Sequence, residues 1–189
     1  MNAPLRAIPR NDWTPQTVVA FWREAGPQSW FKKDPAFDED FRARFLLQHE
    51  AAARGELLDW PDHPEGALAL ILLLDQFPRN AFRGTRRMYR TDPLARRIAD
   101  TMISAGQDLA IEPALRLFCY LPFGHSEDLG DQERSVRLVR PLGPEMLKHA
   151  EGHHAIIQRF GRFPHRNPIL GREMRNEEQL WLDAGGYKG

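Results

Sequence analysis

Three short segments concentrate the polar side chains that could bind a ligand or transfer a proton. The first follows eight consecutive apolar residues, 67–74, and reads Asp75-Gln76-Phe77-Pro78-Arg79-Asn80. A carboxylate directly after such a run is expected to be at least partly buried, and a buried carboxylate needs a partner. Because Pro78 is expected to end the helix, the simple i,i+4 ion pair between Asp75 and Arg79 is disfavoured. A structural ion pair and an anchored general base or ligand acceptor both stay open.

The second segment, 123–128, places a histidine in front of two acids. Ser126 is predicted to be the N-cap of a helix, with Glu127 and Asp128 in the first turn, where the helix dipole favours acids. Capping does not account for His125. Beside two acids its tautomer can be fixed or its pKa raised. His125 and Glu127 are therefore candidate acid–base residues.

The third segment, 161–167, follows a helix rich in arginine and histidine and contains Arg162, His165, Arg166 and Asn167. Two prolines stiffen this loop, and rigid loops on a helical scaffold are where binding groups concentrate. The alternative is that Arg166 and Asn167 satisfy carbonyls at the helix end. The first and third segments also resemble each other, since both contain Phe-Pro followed by Arg-Asn.

Together these segments predict a pocket for a small anionic ligand, a carboxylate or a phosphate. In it a histidine would move a proton and an arginine would hold the anion. Hydrolase- or lyase-type chemistry of this kind requires no cofactor, and none is predicted. A purely structural network that fixes helix ends remains an alternative. The candidate catalytic residues are His125, His165, Asp75 and Glu127, and the candidate ligand-binding residues are Arg79, Asn80, Arg162, Arg166 and Asn167.

Sequence motifs for bound metals and nucleotides are missing. The sequence contains no phosphate-binding glycine loop, no nucleophile elbow and no cysteine-pair metal motif. Glu145, His149 and His153 fall on one face of a predicted helix, but eight residues span about 12 Å at 1.5 Å per residue, too far for one ion. A solvated helix face is predicted, and no metal site.

The elements that must position the three segments are all predicted to be helices. Capping residues precede prolines at 14–15, 34–35 and 92–93. Phe37, Phe41 and Phe45 repeat every four residues, which places them on one helix face. The fold class is therefore all-α, a single compact bundle of about eight mostly antiparallel helices. The predicted helices are 14–25, 35–54, 64–76, 92–105, 112–121, 126–140, 144–160 and 176–184.

Length and composition limit the class of protein. The 189 residues predict a single domain, 1–189, with an ordered core at 12–184 and loose termini that carry little to bury. Equal numbers of acidic and basic residues, 26 each, argue against a nucleic-acid partner. The longest apolar run is far below the roughly 20 residues that span a bilayer, and no signal peptide precedes it. A lone Cys119 fits a reducing compartment, so a cytoplasmic protein is predicted.

Arginine dominates the basic residues, 22 against four lysines. Its planar fork suits carboxylates and phosphates, although genome composition explains the bias equally well. The stretches 79–97 and 152–175 are locally basic despite the zero total. Such segregation fits an anion-binding hollow, while solvated helix faces are the commoner explanation.

The three segments in this order, together with Trp30-Phe31, Lys33-Asp34 and Gln132, resemble a bacterial domain-of-unknown-function family, number nine-twenty-four in its series. The similarity runs from about residue 18 to residue 182. It implies an all-helical fold of the tetratricopeptide-like superfamily and no established activity. It also implies an alternative function, a non-catalytic module that binds peptide tails or proteins. Two places depart from the family pattern: Gly124 stands where the family often has Glu, and Met174-Arg175-Asn176 replaces the usual Ser-Thr-Pro helix start.

Overall fold

A computed structural model describes residues 9–189, and this part of the chain is helical without a β-strand. The predicted all-α class is confirmed. The expectation for the N-terminal end before residue 9 lies outside the described residues. Among the described helices, none has the length and apolar character needed to cross a membrane.

Most helices begin and end close to their predicted bounds. Thr14 and Asp34 cap their helices as expected, since each side chain accepts a hydrogen bond from a first-turn N–H. Two four-residue helices, α2 and α10, were not predicted because a single turn carries no periodicity. The predicted number of about eight is not confirmed. The helices are α1 Pro15–Ala25, α2 Pro27–Trp30, α3 Pro35–Ala53, α4 Pro64–Ile71, a π-helical turn Leu72–Gln76, α5 Phe77–Ala81, α6 Asp92–Ser104, α7 Pro113–Gly124, α8 Leu129–Val139, α9 Pro144–Phe160, α10 Asn167–Leu170 and α11 Asn176–Asp183.

The prediction that Pro78 ends the helix is wrong. The chain stays helical from α4 through the π-helical turn into α5, with Pro78 inside. A proline has no N–H and clashes with the carbonyl one turn earlier, and a widened turn relieves that clash. Side chains satisfy the carbonyls that lose a partner. Leu74 O accepts from Thr91 Oγ1 at 2.6 Å, and Leu73 O lies 2.8 Å from His49 Nδ1.

The predicted N-cap of α8 is also wrong. Asp128, not Ser126, caps the helix, because the Asp128 side chain accepts from Asp131 N at 3.0 Å. Ser126 lies before the helix, and its hydroxyl accepts from Asp128 N at 3.2 Å. Glu127 is consequently outside the first turn and is available for contacts elsewhere.

The described residues cluster into two compact units. Unit 1 contains the residues up to Arg83 together with Arg87–Pro122, and unit 2 contains Gly84–Arg86 together with Phe123–Gly189. The single domain therefore stays a prediction, and each unit is described by itself.

Helix α4 is the centre of unit 1, as its apolar sequence predicts. Residues 66–74 are buried, and α4 packs against α1 and α6. The neighbouring aromatic residues are core, since Trp22 and Trp30 are buried and their rings stack 6.4 Å apart, while Phe31 is 61% exposed. Cys119 is buried as expected, and burial followed by the nearby Asp108 raises its pKa to about 12.

Unit 2 is built on the pair α8 and α9. Its core consists of Ile156, Ile157, Phe160 and Phe163, with Trp181 of α11 packed against it. Gly161 ends α9 in the left-handed conformation at a φ of 68°, a position that favours glycine. This turn carries the chain directly into the third polar segment.

Candidate functional site

In unit 1 the first polar segment forms a buried ion network. The Asp75 side chain is fully buried, and Arg79 Nη1 lies 3.2 Å from its Oδ1. Arg79 also donates two hydrogen bonds to the carboxylate of Asp92, at 2.8 and 3.0 Å. Gln76 Nε2 donates to Asp75 Oδ2 at 2.6 Å. The i,i+4 pair, predicted to be disfavoured, forms because the helix continues through Pro78.

This network satisfies its own charges. Burial acts to lower the pKa of Arg79, but the carboxylates of Asp75 and Asp92 outweigh it and raise that pKa above its ordinary value. Asn80 Nδ2 donates to Gln76 O at 3.1 Å. The structure therefore brings Asp75, Arg79 and Asn80 together among partners that belong to the fold.

In unit 2 Glu127 ties two loops together. Its carboxylate accepts two hydrogen bonds from Arg172, at 2.6 and 2.9 Å, and one from Phe163 N at 2.8 Å. Partial burial acts to raise the pKa of Glu127, but the bonds from Arg172 and Phe163 lower it below its ordinary value. Glu127 is therefore an ionised anchor for the third polar segment.

A second carboxylate of unit 2, Glu178, was not singled out in the sequence. It is fully buried and accepts two hydrogen bonds from Arg162, at 2.7 and 2.8 Å. Asn167 Nδ2 donates to it at 3.2 Å, and Arg175 donates through both its backbone N and its side chain. Glu178 is the third residue of α11, the position from which glutamate reaches back to the N-cap backbone. That spacing was the available signal, and the hydrogen bond from Arg175 N to Glu178 also stabilises the start of α11.

The remaining predicted residues of unit 2 surround His153. The ring centroid of His153 lies 6.5 Å from the ring centroid of His125 and 4.9 Å from that of Tyr187. The ring centroids of Tyr187 and His165 are 5.1 Å apart. The guanidinium of Arg166, a buried residue, lies 4.4 Å from the ring centre of Phe163. We call His125, His153, His165, Arg166 and Tyr187 the histidine cluster.

His153 is electrically neutral in this cluster. Burial is the largest cause, and the like charges of His125, Arg166 and His165 add to it, so that the pKa of His153 falls to about 3. Its Nδ1 lies 3.2 Å from the carbonyl oxygen of Gly124. Because a carbonyl only accepts, Nδ1 carries the proton and Nε2 is left as an acceptor.

Gly124 fits closely beside this histidine. A Cβ at this position would lie 3.1 Å from Ser135 Oγ and 3.8 Å from His153 Nδ1. A larger residue would therefore crowd the Ser135 hydroxyl, whereas the distance to His153 is that of an ordinary contact.

A cleft of about 510 Å³ opens along α9 of unit 2. It is lined by residues of α9 between 145 and 160 and by Trp181 and Tyr187, and we call it the α9 cleft. His149 is exposed on this face and His153 is half-buried. Two cations, Lys148 and Arg159, and one acid, Glu145, line it, and none of the three forms an ion pair with any residue in 9–189. Within that range no group of three side chains is arranged to hold a metal ion.

A second cleft, of about 650 Å³, lies in unit 1 between α1, α4 and the turn before α7. Its lining contains one arginine and three acids, Arg23 with Asp59, Glu65 and Glu112. Arg23 pairs with Glu112 at 2.7 Å, and Glu65 accepts from Gln16 at 3.0 Å. The sign of the charge distinguishes the two clefts, because acids predominate here and cations predominate in the α9 cleft.

Sequence reasoning did not single out the α9 cleft. The spacing of His149 and His153 placed both on one helix face, but this face was considered only for a metal ion. Trp181 and Tyr187 could not be assigned, because α11 and the residues after it carry no motif. Arg159 was counted only as part of a basic stretch.

The comparisons with known proteins place the chain among proteins without an assigned activity. The sequence model of a family described as "Bacterial protein of unknown function (DUF924)" matches residues 18–186. A solved structure of a protein of unknown function, ATU0120 from Agrobacterium tumefaciens, is 55% identical with a TM-score of 0.89, covering 90% of this chain and 97% of that one. No curated protein matches the chain.

Proposed function

This chain belongs to the DUF924 family of bacterial proteins of unknown function, and we propose that its α9 cleft binds a small anionic ligand, a carboxylate or a phosphate. The observation that carries the proposal is Arg159, a cation that lines the cleft and has no carboxylate partner in residues 9–189. In contrast, Arg79 and Arg172 are each paired with a carboxylate. An unmatched arginine in a concave site is suited to a planar or tetrahedral oxyanion.

The size and the charge of the cleft agree with this assignment. Small-molecule sites are clefts of about 300–1,000 Å³, and the α9 cleft measures about 510 Å³. Lys148 adds a second cation, but eleven residues separate it from Arg159, about 16 Å along a helix. Arg159 is therefore expected to contact the anion, whereas Lys148 acts at a distance at which salt screens most of the attraction.

The histidine cluster adjoins the cleft, because His153 and Tyr187 belong to both. The cluster also contains Arg166, whose guanidinium is permanently charged. His153 is neutral, so its free Nε2 is suited to accept a hydrogen bond from a hydroxyl or N–H of the ligand. In this proposal Asp75, Arg79 and Asn80 serve the stability of unit 1.

Thermal unfolding with added inorganic phosphate or acetate, at ionic strength held constant with sodium chloride, tests the proposal. A ligand at 100 times its dissociation constant adds about 2.7 kcal/mol, and each kcal/mol raises the midpoint of a domain of this size by roughly 2–4 °C. We expect a rise of about 5–10 °C for the protein with phosphate or acetate relative to chloride alone.

Three variants locate the site. Arg159→Gln is expected to lose most of the shift, and Lys148→Gln to weaken binding about twofold. The matched control is Arg137→Gln, an exposed arginine of α8 that does not line the cleft, and it should keep the full shift. An unchanged shift in Arg159→Gln, or no shift with either anion, would reject the proposal.

A further inference from the structure

We infer that the ligand of the α9 cleft carries a planar aromatic ring beside its anionic group. This inference deepens the proposed function and rests on it. It starts from the side chains that stand next to Arg159. Its guanidinium lies 4.7 Å from the ring centre of Phe160, and the ring centres of Phe160 and Trp181 are 5.2 Å apart. The guanidinium of Arg159 therefore lies over one ring of an aromatic pair.

The indole of Trp181 is packed against the backbone of Gly186 on one side. Gly186 passes so close to the ring that a Cβ there would lie 2.5 Å from its Cδ2 atom. Phe160 is part of the buried core of unit 2, and Trp181 packs against that core. An aromatic side chain packed in this way needs little reorganisation before a flat ring contacts the part that lines the cleft, so little entropy is lost on binding.

Tyr187 supplies a second aromatic ring farther along the cleft. Its ring packs against His153 at 4.9 Å, and both side chains line the cleft. The lining therefore includes three aromatic side chains, Phe160, Trp181 and Tyr187, beside the cations Arg159 and Lys148 and the acid Glu145. A purely inorganic anion would use the charge and leave this aromatic surface in contact with water. An aromatic carboxylate or an aromatic phosphate ester would use both.

Matched pairs of probes separate the ring from the charge. Benzoate and cyclohexanecarboxylate have the same charge and similar size, and differ in planarity and in π electrons. We expect benzoate to bind about threefold to tenfold more tightly, the range for an aromatic pair beyond simple burial. Phenyl phosphate against methyl phosphate makes the same comparison for a phosphate and indicates which oxyanion the cleft prefers.

Titration followed by tryptophan fluorescence reports on the site directly. The protein has five tryptophans, so the contribution of Trp181 is taken as the fluorescence change that is seen in the parent protein and lost in Trp181→Phe. Trp181→Phe keeps an aromatic wall and should keep the preference for benzoate, measured calorimetrically. Trp181→Leu should bind both carboxylates about equally. Thermal unfolding of each variant without ligand establishes that it is folded, and the conservative Trp181→Phe keeps the test usable if Trp181→Leu does not fold.

The outcomes distinguish the inference from the function on which it rests. Equal affinity for benzoate and cyclohexanecarboxylate, with Arg159→Gln weakening both, would overturn the aromatic ligand and leave anion binding intact. Absence of binding by all four probes, and by inorganic phosphate, would overturn both. Tighter binding of the aromatic member of each pair, lost in Trp181→Leu, would support both.

Discussion

The first polar segment of unit 1 and the α9 cleft of unit 2 both centre on an arginine, but they differ in what surrounds it. Arg79 is held by the carboxylates of Asp75 and Asp92, and the Asp75 side chain is fully buried. Arg159 has an aromatic neighbour, Phe160, and no carboxylate partner among the described residues. The same residue type therefore stabilises the fold at one position and remains available to a ligand at the other. Pairing with acids, rather than the number of arginines, separates the two roles.

The largest effect is expected from the replacement Arg79→Leu. It leaves two carboxylates without their counter-charge in a buried position, and breaking a buried pair in this way costs about 3–5 kcal/mol. The free energy of unfolding, measured by urea denaturation at pH 7, should fall by that amount. The control is Arg87→Gln, which removes an exposed pair with Glu50 and should cost less than about 1 kcal/mol. Similar losses in both variants would contradict a special role for the buried network.

The next largest effect is expected from Glu178→Gln in unit 2. Hydrogen bonds from Arg162 and then Arg175 hold the pKa of Glu178 far below its ordinary value of 4.5. A carboxylate with a lowered folded pKa stabilises the protein above pH 4.5 and loses this contribution as the pH falls below it. Glu178→Gln should lower the free energy of unfolding by about 2–3 kcal/mol at pH 7. Below pH 4.5 the stability of this variant should depend less steeply on pH than that of the parent protein.

Denaturation at pH 7 and pH 3.5 measures both parts of this prediction. Glu177→Gln is the matched control, because Glu177 is the exposed neighbour of Glu178 on α11. Equal losses of stability at both pH values in Glu178→Gln would contradict the stated cause.

The helices were largely predictable from the sequence, because capping residues and apolar spacing act over one or two turns. The bounds of α9 were predicted without error, since Gly143-Pro144 and Gly161 flank an amphipathic run. The failures were at Pro78, at Ser126 and at Asp92, where local rules were overridden. Asp92 lies inside α6 and pairs with Arg79 instead of capping the helix. At Pro78, side chains from distant positions, Thr91 and His49, satisfy the carbonyls that the proline leaves. Such long-range compensation has no local signal.

The third effect concerns the pH dependence of unit 2 and is expected from His153→Gln. The pKa of His153 is about 3 in the folded protein, against 6.5 ordinarily, with burial as the main cause and His125 as the next. Protonation below pH 6.5 therefore favours unfolding, and stability present above that pH is lost as the pH falls. When the pH is lowered from 7 to 5, the free energy of unfolding of His153→Gln should therefore fall by about 1–2 kcal/mol less than that of the parent protein.

Denaturation across that pH range, compared with His149→Gln on the exposed face of the same helix, measures the contribution. An identical pH dependence in the parent and in His153→Gln would remove His153 as the acid-sensitive group. His49 of unit 1 is also lowered in pKa by burial, so part of the acid sensitivity should persist in the variant.

The sequence shows which side chains are polar but not which of them are paired. Arg162, Arg166, Asn167, His125 and His165 lie in one unit, and their roles in catalysis and binding stay predictions. The partners of Arg162 and Arg172 were not predictable, because Glu178 and Glu127 lie 16 and 45 positions away from these arginines. Once a carboxylate binds an arginine, the arginine is no longer available to a ligand, and the sequence does not reveal which arginines are bound in this way.

The smallest effect on stability is expected at the cleft itself, and it sharpens the comparison with Arg79. Arg159→Gln removes a cation that stabilises no carboxylate, so the free energy of unfolding should change by less than about 0.5 kcal/mol. Because the same substitution should abolish most of the thermal shift with phosphate or acetate, stability and binding separate at this residue. At Arg79 the arginine serves stability alone, because its loss leaves the buried carboxylates of Asp75 and Asp92 without a counter-charge. A loss above about 1 kcal/mol in Arg159→Gln, measured by urea denaturation without added anion, would mean that Arg159 has a structural partner and belongs with Arg79.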